Sequence, residues 1–335
     1  MDPLTQGLLG AALPQATAAK GKGAAIAGAL GFFAGMAADL DVLIRSSTDP
    51  LLFLEYHRQF THSLIFIPIG GLLCAAVLHA VLGRRRGLSF RQSWLFCTLG
   101  YATHALLDAC TTYGTMLLWP FSNQRIAWNT ISIIDPRFAL PLLAAVVLAG
   151  RRGRPLFARL GLAWVCLYMA LGLWQRNEAV AMGHALAAQR GHVPLRLEAK
   201  PSFANILVWK VVYETPDRFY VDAVRAGWSP RVFPGSSVYK LDVDRDLPWL
   251  DRASQQARDI ERFAWFSNGY IARDPLYTNR VIDVRYSLIP NEVAPLWSIE
   301  LSPGARSDEH VAYRVHRDAD NDRAALMWRM VAGGE

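Results

Sequence analysis

The sequence predicts a membrane all-α helical bundle of about six apolar helices, followed by a small α+β soluble domain. Three observations carry this prediction. Residues 1–174 form a series of long apolar segments with few acids, whereas residues 175–335 mix charged and aromatic residues as soluble domains do. The first part holds 14 Lys+Arg against 7 Asp+Glu and the second 21 of each, so the net charge of +7 lies wholly in the apolar half. The apolar segments also alternate with basic clusters, as membrane topology signals do. That distribution argues against a nucleic-acid surface, and no specific nucleic-acid partner is expected.

Leu4 to Ala19 is Ala/Gly-rich and about 24 Å long as a helix, with Pro14 placed to kink it. Ala24 to Ile44 is a better span, and its small residues Gly28, Gly31 and Gly35 suit close helix packing. A polar connection carries Glu55, His57, Arg58, His62 and Ser63 before the span Leu64 to Leu82. Trp94 to Ala109, Phe138 to Ala149 and Leu160 to Trp174 complete the set. Cys74, Cys97, Cys110 and Cys166 all lie in or at the end of apolar segments, without zinc-knuckle spacing or a disulfide framework. The N-terminus lacks a basic region ahead of its apolar stretch and is not expected to be a signal peptide. Beyond residue 174, Asn205 to Glu214 and Arg218 to Arg225 read as a strand hairpin around Pro216-Asp217, and Leu247 to Phe266 as an amphipathic helix. Val281 to Ile289, Leu296 to Leu301 and His310 to His316 read as further strands, and residues 320–331 as a closing helix.

Basic clusters at Lys20/Lys22, Arg84–Arg91 and Arg151–Arg159 mark cytoplasmic loops. With six crossings, all three fall on one side. Both termini, the domain 175–335 and the residues Asp39, Asp41, His57, His62, His104, Asp108 and Asp135 then fall on the other. The expected location is the bacterial inner membrane, multi-pass, with the C-terminal domain outside the cytoplasm.

That convergence of ionisable residues is the functional signal. His104 and Asp108 stand at i and i+4, so an imidazole and a carboxylate share one helix face, half of a divalent-metal site. Asp39 and Asp41 repel one another unless a cation lies between them or water solvates both as a helix end. One or both of His57 and His62 can ligate, whereas Asp135 before Pro136 has the pattern of a turn residue. Nitrogen and oxygen donors without thiolate fit Zn²⁺, Mn²⁺ or Fe, and a cluster of this size can hold two ions. Such a site lowers the pKa of water for phosphoester cleavage. No G-x-S-x-G and no Cys–His pair competes with it.

The stretches Met1-Asp2-Pro3-Leu4-Thr5, Ala38-Asp39-Leu40-Asp41, His57-Arg58-Gln59-Phe60-Thr61-His62-Ser63, His104-Ala105-Leu106-Leu107-Asp108, Thr111-Thr112-Tyr113-Gly114-Thr115, Leu118-Trp119-Pro120-Phe121-Ser122 and Ile134-Asp135-Pro136 occur in this order. Together they resemble the YdjM-like family of membrane-bound metal-dependent hydrolases, itself distantly similar to zinc-dependent phospholipases C and single-strand-specific zinc nucleases. The resemblance covers most of residues 1–150. It implies that His104 and Asp108 are metal ligands, with His62, Asp39 and Asp41 supplying others. Where that family usually carries a histidine after its N-terminal threonine, this chain has Gln6, which implies a weaker metal position there.

The resulting expectation is a hydrolase that holds a divalent metal, Zn²⁺ by ligand type, and cleaves a phosphoester at the outer membrane–water interface, with membrane lipid as partner or substrate. Asp39, Asp41, His62, His104 and Asp108 are the expected ligands. His57 and Arg58 are the expected catalytic residues, His57 as acid/base and Arg58 or Arg125 as a phosphate fork. The competing expectations are a metal-ion or proton transporter using the same residues, and a non-catalytic envelope protein with a structural metal.

Overall fold

Asp2 opens the first helix, α1 (Pro3–Thr17): its carboxylate accepts from the Thr5 backbone N–H and hydroxyl at 3.0 and 2.6 Å, with Pro3 in the first turn. The computed structural model describes residues 1–227, 229–317 and 321–334. These fall into two units: Met1–Ile44 with Tyr56–Leu173 and Phe203–Asn205, and Arg45–Glu55 with Trp174–Ser202 and the chain from Ile206 onward.

In the first unit α1 is followed by α2 (Lys22–Met36), which tightens into a 3₁₀ segment over Ala37–Leu43. The short α3 (Leu52–Tyr56), which belongs to the second unit up to Glu55, leads through 3₁₀ turns to α4 (Ile67–Leu78), and then come α5 (Phe90–Cys110), α6 (Pro136–Arg152) and α7 (Pro155–Gln189), whose part from Trp174 onward belongs to the second unit. Glycine allows the close crossings that the sequence suggested. A Cβ on Gly10 would stand 2.5 Å from the Gly31 carbonyl, and one on Gly100 would stand 2.4 Å from the same oxygen. α1, α2 and α5 therefore meet backbone to backbone. Pro14 lies within α1, which continues to Thr17.

Three helical stretches among the described residues are long and apolar enough to cross a membrane: Gly23–Leu43, Leu64–Arg86 and Pro155–Gln189. This corrects the expectation of about six. Helices form at the other three apolar segments too, but α1 and α6 have 15 and 17 residues. Those lengths give about 22 and 26 Å of rise, short of a hydrocarbon core about 30 Å thick. α5 has 21 residues, yet its apolar run is diluted by Arg91, Gln92, Ser93, His104 and Asp108.

The second unit is a soluble domain built on two four-stranded antiparallel sheets. The first runs β1 (Arg196–Pro201), β2 (Val208–Glu214), β3 (Arg218–Arg225), β4 (Arg231–Tyr239), and the second β5 (Ile271–Arg273), β6 (Arg280–Asp283), β7 (Trp297–Glu300), β8 (Ala312–Val315). One buried core, with Val212, Phe219, Val221, Tyr270, Ile282 and Val284, joins the sheets. The hairpin β2–β3 lies where the sequence placed it. β4 carries Pro234-Gly235 and is possible because it is an edge strand. A Cβ on Gly235 would meet the Val221 and Asn291 carbonyls at 2.2 Å. The helix expected over residues 247–266 is shorter: α8 (Val243–Asp246) precedes it, and Ser254 caps α9 (Gln255–Phe266). α10 (Asn321–Ala332) closes the chain.

Lys210 of β2 is buried, its ammonium donating to Ser287 Oγ at 2.8 Å and the Glu292 carbonyl at 2.7 Å. Burial pushes its pKa down to about 7 from 10.5, against the pull of Asp283 and Glu292. Between those two values the unfolded chain holds a proton that the folded chain has released, so this lysine makes stability rise with pH. The expected slope is at most about 1.4 kcal/mol per pH unit. Urea unfolding followed by tryptophan fluorescence at pH values from about 7 to about 9 should show that slope, and Lys210→Met should flatten it. Equal slopes in the two proteins would refute the assignment.

Candidate metal centre

Three elements deliver the site. The 3₁₀ segment after α2 turns Asp39 and Asp41 inward while Leu40 and Leu43 stay exposed. The turn Phe60–His62 supplies His62, and the last two turns of α5 supply His104 and Asp108. The close crossing at Gly31 and Gly100 sets α5 against the end of α2, where His104 Nδ1 donates to the Gly35 carbonyl at 2.6 Å. That bond fixes the proton on Nδ1 and leaves Nε2 as the lone-pair donor.

His104 Nε2 lies 3.3 Å from Asp39 Oδ1 and 3.6 Å from Asp108 Oδ2, and His62 Nε2 lies 3.5 and 3.3 Å from the same two oxygens. These separations are long for hydrogen bonds. They match the edge of a tetrahedron with metal–ligand bonds near 2.0–2.1 Å, which is about 3.3–3.4 Å. His62, His104 and Asp108 are fully buried, while the Asp39 side chain is 22% exposed. His62 Nε2 and His104 Nε2 are each buried without a hydrogen-bond partner, and both face Asp108 Oδ2, which is ion-paired with the Arg58 guanidinium, Nε at 2.9 Å. Buried polar atoms are rarely left unpartnered, and here two converge on one point. Burial alone would push His62 down, but Asp108, Asp39 and Asp41 outweigh it and hold the imidazole up at about 10.

The surroundings hold the donors in place. Asp108 Oδ1 accepts from Gln6 Nε2 at 2.8 Å and from the Met1 amine. Gln6, standing where the resembling family has histidine, therefore touches a ligand oxygen through its amide nitrogen. Asp41, expected among the ligands, accepts from His57 Nδ1 at 2.8 Å on Oδ1 and from the Arg58 N–H and the Thr61 hydroxyl, both at 2.9 Å, on Oδ2; His62 Nδ1 lies 3.2 Å from Oδ2 and 2.9 Å from the Thr61 hydroxyl. Asp41 also forms, with Asp39 and His57, a second group of donor atoms lying within 4.8 Å of one another. The 2.8 Å His57–Asp41 contact has the length of a hydrogen bond rather than of a coordination edge. Burial pushes the His57 imidazole below the ordinary histidine range against the pull of Asp41.

Arg58 has a left-handed backbone with φ 65°, a conformation costly for a side chain this large. Its N–H is held by Asp41 and its carbonyl accepts from Met116 N at 3.0 Å. The buried guanidinium places Nε 2.9 Å from Asp108 Oδ2 and donates from Nη1 to Thr111 Oγ1 at 3.1 Å. It also lies 4.9 Å from the Tyr113 ring centre, with the Arg125 guanidinium 5.2 Å from the same ring and His57 edge-on to it at 5.6 Å. Sequence reasoning did not single out Thr61, Thr111 or Tyr113, whose only signal was their place within the resembling stretches. Asp135 stands apart: its Oδ1 caps α6 by accepting from Arg137 N at 3.1 Å, and its Oδ2 accepts from the Tyr168 hydroxyl at 2.7 Å.

The chain is 27% identical over 273 residues to the uncharacterized protein YfhP of Bacillus subtilis (strain 168), a match covering 75% of this chain and 74% of that one. It is 40% identical over 84 residues to the inner membrane protein YbcI of Escherichia coli (strain K12), covering 23% of this chain and 44% of that protein. No solved structure matches, so the distant likeness to zinc phospholipases and nucleases gains no support. The YdjM inner membrane protein family matches residues 1–179, a stretch that contains every donor atom described above, and the chain belongs to that family.

Proposed function

We propose that this protein is a membrane-bound, metal-dependent hydrolase of phosphoesters. The observation that carries the proposal is the convergence of Asp39, His62, His104 and Asp108, with imidazole–carboxylate separations of 3.3–3.6 Å and both imidazole Nε2 atoms buried and unpartnered. The donor set is nitrogen and oxygen without thiolate, which suits zinc among the common ions. The ion, when bound, supplies the Lewis acidity that phosphoester hydrolysis needs at neutral pH.

The remaining chemistry belongs to the chain. His57 donates from Nδ1 to Asp41, which leaves Nε2 to take a proton from the attacking water and return it to the leaving oxygen. Asp41 stays ionised and stabilises the imidazolium. Arg58, held by Thr111 and the Tyr113 face, offers its other N–H groups to a phosphoryl oxygen, with Arg125 across the same ring. Leu40, Leu43, Leu64 and Phe121 are exposed apolar residues on the segments that bear or follow the ligands. They favour a substrate presented by the bilayer, a phospholipid headgroup.

The site and the second unit are proposed to lie on the outer face of the inner membrane. The clusters at Lys20/Lys22, Arg84–Arg91 and Arg151–Arg159 fall on one side with three spans or with six, but His104 and Asp108 lie between the second and third spans and share the outer face with Asp39 and His62 only if α5 and α6 cross as a pair. Residues 45–55, which join the first two spans, belong to the same unit as the C-terminal chain, which favours a common side for both.

The test uses the full chain in nanodiscs. About one zinc per chain, removed by chelator together with turnover of a phosphodiester or of phospholipid vesicles, is the expected result. Absence of metal binding in a zinc titration would end the proposal. Metal without turnover would leave a structural ion, and ion flux into liposomes would replace hydrolysis by transport. A reporter fused after residue 335 should be active only when exported, and cytoplasmic activity would invert the orientation.

A further inference from the structure

Within the first unit, the metal centre occupies one end of α1, α2 and α5, and the opposite end of the same helices carries positive charge alone. Arg91 and His104 stand about 20 Å apart along α5, and α1 brings Gln6 to Asp108 near its start and runs toward Lys20 at its finish. At the far end the turns are drawn together. The Gly21 N–H donates to the Gly153 carbonyl at 2.8 Å, so the turn after α1 meets the turn after α6. Arg159, in the first turns of α7, donates from Nε to the Ala16 carbonyl at 3.1 Å. Leu82 and Leu88, on either side of Arg84–Arg86, pack against the buried cluster that holds Ala18 and Ala24. No Asp or Glu occurs in residues 3–38, 56–107 or 136–177. Lys20, Arg84, Arg85, Arg86, Arg151 and Arg154 are accordingly exposed, and they form no ion pair among the described residues. Beside them on the first turns of α7, Leu156 and Leu160 are exposed too.

We propose that the joined turns bearing Lys20, Arg151 and Arg154 form a binding site for an anionic phospholipid, with the phosphate on these cations and the acyl chains along Leu156 and Leu160. Cations gathered with no carboxylate opposite them repel one another, and a phosphate relieves that repulsion. Basic loops orient a membrane protein by the side on which they lie. Orientation alone does not call for a backbone bond between two of them, whereas a shared headgroup does gain from it, since basic pockets between membrane helices are where such headgroups bind. Open apolar surface next to the cations favours a phosphate that carries acyl chains over a water-soluble one. Arg84, Arg85 and Arg86 on the neighbouring turn add to the same field. The proposal does not rest on the hydrolase reading.

The test places the full chain in nanodiscs of equimolar phosphatidylglycerol and phosphatidylcholine and reads the lipid it retains by native mass spectrometry. Lipid reaches the purified protein from both faces there, so the direction of insertion in the cell does not enter. The wild-type chain should retain phosphatidylglycerol in preference to phosphatidylcholine. Lys20→Gln/Arg151→Gln/Arg154→Gln should lose that preference roughly 100-fold, about fivefold for each cation removed. Arg137→Gln is the control. It lies at the metal-centre end, where the start of α6 meets the start of α1 through the bond from Asp2 N to the Ile133 carbonyl, and it should retain lipid as wild type does. Should the triple variant fail to fold, Arg151→Gln/Arg154→Gln should lose about 25-fold. Equal retention of the two lipids by the wild-type chain, or an undiminished preference in the folded variants, overturns the proposal. Pyrophosphate serves as the water-soluble probe and should leave the lipid in place. Full displacement of phosphatidylglycerol by it would assign the cations to soluble phosphate instead.

Discussion

Alanine at His104 or at Asp108 should abolish zinc binding, and the double mutant should be no worse than either single one. The reason is geometric. Each residue supplies one of four donors whose imidazole–carboxylate separations are 3.3–3.6 Å, so either substitution takes away one of the few ligands a zinc ion could have there. Partners that merely orient ligands are worth 10–100-fold in affinity, so removing a donor should exceed roughly 100-fold. Residues that act as one unit are non-additive. If the two groups only hydrogen-bonded at a helix end, each substitution would cost about 0.5–1.5 kcal/mol of stability and leave metal content untouched. Asp108 also faces the Met1 amine and Arg58, so its alanine variant strands buried positive charge and loses stability besides. Asp108→Asn keeps the volume and separates the two effects. Elemental analysis of the folded variants decides, and wild-type zinc in His104→Ala and Asp108→Asn would remove the site.

Asp41→Asn is expected to cost 10–100-fold in zinc affinity and, separately, about 10²–10⁴-fold in turnover at saturating metal. The carboxylate accepts from His57 Nδ1 and from the Thr61 hydroxyl, whose oxygen in turn meets His62 Nδ1 at 2.9 Å, and so sets the tautomer of His57 directly and that of His62 through Thr61. An amide of the same shape presents one acceptor and one donor. Turned one way its N–H meets His57 Nδ1, and turned the other it meets the Thr61 hydroxyl, which must then donate to His62 Nδ1 and drive that ring's proton to Nε2. On His62 that proton occupies the atom facing the ligand cluster, and on His57 it removes the base. The substitution also weakens the hold on the left-handed Arg58 backbone and on Thr61. Zinc titration and single-turnover rates at saturating zinc separate the two losses. A variant with unaltered affinity and rate would reduce Asp41 to a solvated helix end.

Much of this could be read in the sequence because the signals are local. Hydropathy and charge along the chain separate an apolar, basic half from a balanced soluble half. The i, i+4 spacing placed His104 and Asp108 on one helix face, and Pro216-Asp217 between β-rich runs placed the hairpin β2–β3. Periodicity and turn chemistry act over a few residues, and sequence reports them directly. The edge strand β4 stayed hidden because Pro234-Gly235 argues against a strand unless one edge is known to be free. The number of membrane-crossing helices was overestimated because an apolar run does not reveal where its helix ends.

The distribution of roles within the site was decided by tertiary structure alone. From sequence, Asp39 and Asp41 are equivalent acids two residues apart. In the fold one meets His62 and His104 Nε2, while the other is taken up by three donors from a turn 16–20 residues away. Likewise His57 and His62, five residues apart on the same turn, part company because only His62 reaches Asp108. Composition states which donors a chain owns. Which lone pair points where depends on helix crossings set by Gly31 and Gly100, and on which hydrogen bonds have already claimed the neighbouring atoms.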